Sequence, residues 1–138
     1  MAQGIMEDKV RKAGLTAHVD SAGTASYHVG EPPDHRAISK TNQRDIDISH
    51  YRGRQFDVRD FDDFDLIFAM DDYNLRDILE LAHSEEDRKK VDLILNKVYP
   101  GSNMSVPDPY YGGDSGFENV FNLLDQACEK ILEDVLYE

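Results

Sequence analysis

VPDPYYGGDSGFENV, residues 106–120, sets an aspartate between two prolines, adds two tyrosines and two glycines, and then enters a helix. Reading outward from its C-terminal end gives the clearest element of the chain. Phe117, Val120, Phe121, Leu124, Ala127, Cys128, Ile131, Leu132 and Val135 recur at three- and four-residue spacing, one apolar stripe. Ser115 and Glu118 have the S-x-x-E spacing of a capping box at its start. Cys128 lies on the stripe, which makes it a small core hydrophobe rather than a nucleophile.

Reading outward in the other direction gives strands that alternate with helices. DLIFAM, residues 65–70, is a short apolar run that predicts a buried strand, followed by a helix capped at Asp71 or Asp72 with Leu75, Ile78, Leu79 and Ala82 inward. VDLILN, residues 91–96, and TAHVDSAG, residues 16–23, predict two further strands. Pro33 and Asp34 precede a helix through Ala37, Ile38 and Lys40. Met1, Ala2, Ile5, Met6, Val10 and Ala13 have helical spacing from the first residue, and Gly14 stands where a C-terminal cap belongs. This alternation implies βαβ units, a mainly parallel sheet and a single domain spanning residues 1–138. In such folds ligands bind at the carboxyl ends of the strands, often on a helix N-terminus.

The totals narrow the function. The formal net charge of −13 over 138 residues argues against duplex nucleic acid or an anionic membrane as partner, since both require a basic face. The longest uncharged apolar run, residues 66–70, is far too short to span a bilayer. One cysteine makes no internal disulfide, and no basic segment leads into an apolar one at the start, so the expected compartment is the cytoplasm. His18, His35, His50 and His83 lack metal-ligand spacing, and no metal or cofactor is expected.

DSAGTASYHVGEPPD (residues 20–34), FDLIFAMDDYNLRD (residues 64–77) and VPDPYYGG (residues 106–113) together resemble the low-molecular-weight protein tyrosine phosphatases, in order and spacing over nearly the whole chain. The resemblance implies a three-layer α/β/α fold around a small, four-stranded parallel sheet. It also implies a chemistry: a cysteine thiolate attacks the phosphorus of a phosphotyrosine or small aryl phosphate, an arginine and a ring of backbone N–H groups hold the phosphoryl oxygens, and an Asp before a Pro protonates the departing phenolate. Asp108 matches that acid. A phenolate leaves poorly without a proton, and a positioned acid contributes ~10²–10⁴ in rate; Pro109 holds Asp108 out of the helical region. Tyr110 and Tyr111 would wall an aromatic slot, with Tyr27 on its opposite lip. The alternative for Asp108 is an Asx turn beside ordinarily packed tyrosines. Ser21 matches a serine that braces the phosphate loop, and reads equally as a strand-end residue satisfying its backbone. Tyr51 stands where many members have histidine, and His28 reads as a surface residue.

The family's nucleophile motif, Cys, five residues, Arg and then Ser or Thr, is not in these 138 residues. MAQGIMEDKV resembles the helix that follows that loop, so the expectation is a chain lacking the first strand and the phosphate-binding loop, recorded from an internal methionine of a longer protein, and inactive on its own. That strand lies between two others in the family, so its loss should expose their edges, to be closed by shifted strands or by a second copy of the chain. The alternatives are a non-catalytic phosphopeptide-binding relative, and an arsenate reductase, which needs more cysteines than Cys128.

Overall fold

Two helices meeting along apolar stripes carry most of the core of the computed structural model, which describes residues 1–25, 28–109 and 113–136. Helix α1 is Ala2–Lys12, and α6, Gly113–Leu136, is the long helix of the C-terminal stripe. Between them come α2 (His35–Asn42), α3 (Asp60–Asp63), β1 (Ile67–Ala69), α4 (Asp72–Leu81), α5 (Glu85–Lys89), β2 (Val91–Leu93) and a 3₁₀ turn, Ile94–Lys97.

The stripe of α6 is buried from Phe117 to Leu132, with Ala127 fully enclosed. It packs against Ile5 of α1 and against Ile94 and Leu95. Val135, expected to continue the stripe, is 37% exposed, because the core ends one turn earlier. Helix α1 closes as its sequence predicts. Gly14, at φ +71°, donates its N–H to the Arg11 carbonyl, and Leu15 donates to Val10, a two-bond stop that needs a left-handed residue.

β1 and β2 run parallel, with Ile67 opposite Val91 and Ala69 opposite Leu93. Ile67, Ala69 and Leu93 face one side, where Phe61, Ile78 and Ala82 cover them. Phe68 faces the other side, towards the α1–α6 cluster. The sheet therefore lies between two helical layers, the α/β arrangement expected. Asp71 caps α4, accepting from the Asn74 N–H at 2.8 Å, and Asp34 caps α2, accepting from Arg36 at 2.8 Å.

Three expectations are corrected. Residues 16–22 form no strand, and the sheet has two strands among the described residues. A strand needs a neighbour to hydrogen-bond, and this segment has only the isolated bridge between Gly23 and Gln55. VDLILN is strand only to Leu93. Leu93 packs in the α3–α4 cluster while Ile94 and Leu95 both enter the α1–α6 cluster, and two consecutive side chains on one side break the alternation of a strand, so the chain coils. Ser115 lies inside α6 rather than at its cap, and the Glu118 carboxylate turns instead to α2. There it meets Lys40 Nζ at 3.0 Å, a lysine only 4% exposed, and Arg44 just past the end of that helix. Arg36 and Arg44 lie over the rings of Phe117 and Phe121, so α2 clamps the first turns of α6.

Gly4 is a close approach between α1 and the chain that follows α2. A Cβ there would stand 2.5 Å from Cγ2 of Ile48, which is fully buried and has nowhere to move. Gly4→Ala gains ~1 kcal/mol of helix propensity but overpacks at ~1–3 kcal/mol. A net loss is expected as a lower urea midpoint with unchanged m-value, and in the Ile48→Ala background the same substitution should cost less.

Candidate active site

The segment carrying Asp108 is strung between the end of a strand and the start of a helix. Val106 donates its N–H to the Met70 carbonyl at 2.7 Å, directly after β1. Ser105 Oγ accepts from the Asp72 N–H at 3.1 Å, in the first turn of α4. At the other end the Pro109 carbonyl lies against α6, where a Cβ on Gly116 would come within 2.5 Å of its oxygen. The loop is thus fixed to three elements at the carboxyl end of β1, the edge where α/β folds place their ligands. Asp108 itself is exposed there. Within the apolar spacing of α6, Gly116 is the signal of this contact, and it passes unnoticed when the helix is read for its stripe alone.

Residues 20–25 reach the same end of the molecule. Thr24 Oγ1 accepts from Asn74 Nδ2 at 3.2 Å, which ties this loop to α4. Ser21 is exposed, and its hydroxyl donates to Gln3 Oε1 at 2.6 Å, in the first turn of α1. The Gln3 amide donates in turn to Glu7 at 3.1 Å, and the Tyr51 hydroxyl donates to the other oxygen of the same carboxylate. Burial first, then the Glu7 carboxylate, raises Tyr51 well above the usual phenol range, so it stays a neutral donor. Gln3, Glu7 and Tyr51 thus orient Ser21. Sequence reading missed the first two, because an i, i+4 polar pair on a helix reads as solvated surface.

Tyr27, Tyr110 and Tyr111, expected to form an aromatic slot, lie outside the described residues. His28 is exposed and paired with Glu31 at 2.7 Å. His18 stacks on Phe64 and His50 meets the edge of Tyr51. No metal-binding cluster occurs among the described residues, nor is any described helix long and apolar enough to cross a membrane.

Cys128 is 1% exposed, with its sulfur facing the Ala2 carbonyl at 3.8 Å. Burial pushes its thiol up to about 12; Asp125 adds to the shift and Lys9 opposes it. A thiol so placed is no thiolate at neutral pH.

A model of the low molecular weight phosphotyrosine protein phosphatases matches residues 1–138. A Synechocystis protein that carries the low molecular weight protein-tyrosine-phosphatase name is 44% identical over 133 residues, covering 95% of this chain and 84% of its own. The human low molecular weight phosphotyrosine protein phosphatase is 38% identical over 115 residues, 83% of this chain and 72% of the human one. The crystal structure of a protein tyrosine phosphatase from Entamoeba histolytica superposes with a TM-score of 0.89 at 32% identity, covering 99% of this chain and 87% of that one. The shared fold and the match over residues 1–138 agree: the chain belongs to the low molecular weight phosphotyrosine protein phosphatase family.

Proposed function

We propose that Asp108 is the general acid of phosphomonoester hydrolysis, protonating the phenolate oxygen as a phosphotyrosine or small aryl phosphate gives up its phosphoryl group. The observation that carries this reading is the triple anchoring of residues 105–109, which holds an exposed carboxyl group at the ligand-binding edge of the strands. Tyr110, Tyr111 and Tyr27 supply flat walls for the leaving ring, and Ser21, oriented by Gln3, braces the phosphate loop. The chemistry calls on no metal or cofactor, and the single thiol suits a reducing cytoplasm.

The acid needs a nucleophile and a cradle for the phosphoryl oxygens. Cys128 supplies neither, because it is enclosed in the core. The reaction therefore proceeds when a Cys, five residues, Arg, Ser loop stands beside Asp108, and residues 1–138 alone do not perform it. A non-catalytic phosphopeptide binder is the second reading, favoured by the inert thiol; a calorimetric titration with a phosphotyrosine peptide that gives no heat removes it. One cysteine leaves an arsenate reductase without a disulfide relay.

Three outcomes follow. The chain as given should leave p-nitrophenyl phosphate at the buffer rate, and measurable turnover would overturn the requirement for a further loop. In a chain extended at its N-terminus with a strand and that loop, Asp108→Asn should lower kcat by ~10²–10⁴ with KM within a few-fold, and unchanged kcat would refute the acid role. Cys128 should react with iodoacetamide at pH 8 roughly a thousandfold slower than an unperturbed thiol. Its folded pKa stands above the ordinary 9.0, so the unfolded chain sheds the proton first, and this residue's contribution makes stability fall as pH rises from 9.0 towards about 12.

A further inference from the structure

Helix α4 starts beside the Asp108 loop, and its outward face carries an arginine that the described residues leave without a counter-charge. Arg76 is exposed, and its guanidinium lies over the Tyr73 ring, 5.7 Å from the centroid. Every other arginine among the described residues bonds a carboxylate or a backbone carbonyl. Arg76 bonds neither, although Asp72 and Glu80 stand four residues to either side on the same helix. In a chain of net charge −13, such a cation is where an anion from outside meets the least opposition.

The direction of the side chain gives this cation a place in the site. Ile78 and Ala82 turn one side of α4 into the core, and Tyr73 and Arg76 project from the other. The guanidinium reaches back over a residue three positions nearer the N-terminus, the way helical side chains lean. That end of α4 is the one pinned to the Asp108 loop, by the Ser105 hydroxyl on the Asp72 N–H at 3.1 Å. Tyr73, the next residue, is 74% exposed. Asp108 follows Ser105 by three residues, at most about 10 Å of extended chain. A ring and a cation thus stand about three residues of extended peptide away from the candidate acid.

We propose that Tyr73 and Arg76 form a substrate subsite that takes the carboxylate of an Asp or Glu lying about three residues from the phosphotyrosine. This rests on the reading of Asp108 as the acid beside the phosphoryl group. The guanidinium offers a planar fork that matches a carboxylate, and the exposed Tyr73 ring covers the stem of the same residue. A phosphotyrosine peptide is itself an anion, and Asp71, Asp72 and Asp77 nearby repel it. One cation held over the ring therefore decides which peptides stay.

The test titrates the ¹⁵N-labelled chain of residues 1–138 with three phosphotyrosine peptides. They differ only at two and three residues on either side of the phosphotyrosine, where they carry Glu, Gln or Lys among alanines. The Glu peptide should shift the Arg76 Nε–H and the Tyr73 amide saturably, with a Kd on the order of 1 mM. It should bind roughly two- to fivefold more tightly than the Gln peptide, the scale of an exposed ion pair. Arg76→Gln should abolish that difference, and Arg76→Glu should put the Lys peptide ahead, both read at the Tyr73 amide. Tyr73→Ala, read at the Arg76 Nε–H, should weaken the Glu peptide several-fold. Both side chains are exposed, so these substitutions leave the core intact. No shift at Arg76 with about 5 mM Glu peptide, or equal affinity for the Glu and Gln peptides, overturns the proposal and leaves the acid reading standing. Shifts at Arg76 with none at Ser105, Val106 or Asp108 uphold the carboxylate subsite and count against the acid reading instead.

Discussion

One backbone hydrogen bond, from the Val106 N–H to the Met70 carbonyl, fixes where the candidate acid loop lies. Its net energy is modest, ~1 kcal/mol, but its position is decisive. Met70 follows the last residue of β1 and precedes the cap of α4, so the bond pins the acid-bearing loop where the strand ends and the helix begins. Ser105 extends the attachment by satisfying the Asp72 N–H, one of the donors that a helix leaves unpaired in its first turn. Pro109 then hands the chain to α6 by lying on Gly116. Each contact involves backbone or a small residue, which makes the loop's path insensitive to side-chain motion.

The helices were legible because their signals are local. Asp34 and Asp71 cap where their residue type predicts, Gly14 ends α1 with the left-handed turn that glycine permits, and the stripe of α6 is periodic over five turns. The strands were only partly legible, because a strand is defined by its neighbour. TAHVDSAG has a strand's composition and no ladder, while VDLILN switches to a 3₁₀ turn where two adjacent apolar residues both enter the same cluster. Ser115 and Glu118 show the complementary failure. The spacing of a capping box was present, but the buried Lys40 ammonium bids more strongly for the carboxylate than a helix end does. At the candidate site, the sequence offers Asp108 from the DPYY run and Ser21 from DSAG as candidates, and the structure sets both at the carboxyl end of β1. Gln3 and Glu7, which orient Ser21, were not legible, because nothing local marks a surface-like helix pair as part of a chain leading to Tyr51.

A lone cysteine in a family that works through a thiolate invites assignment as the nucleophile, and burial decides against it. Thiolate chemistry needs partial exposure and a nearby positive potential. Cys128 has the core around it, an acidic neighbour on its own helix, and only the ammonium groups of Lys9 and of Met1 acting in favour of the anion. Lys9 is itself engaged by Asp125 and Glu129, at 3.0 and 2.9 Å. The same stripe that buries the cysteine builds α6, so chemistry and packing place opposite demands on that position, and packing has won.

The division of labour within the core explains how an ordered acid loop can coexist with so short a sheet. The largest cluster joins α1, α6 and the 94–95 turn and draws on β1 only through Phe68 and the adjoining Met70. The sheet's other face rests on a separate cluster built from α3, α4 and both strands. The Asp108 loop is attached to the strand end on one side and to α6 on the other, so it bridges these two clusters rather than depending on a continuous sheet. The loop's anchors run along the chain direction, from strand end to helix start. The candidate site on these residues is therefore held by helix packing on one side and by the strand end on the other.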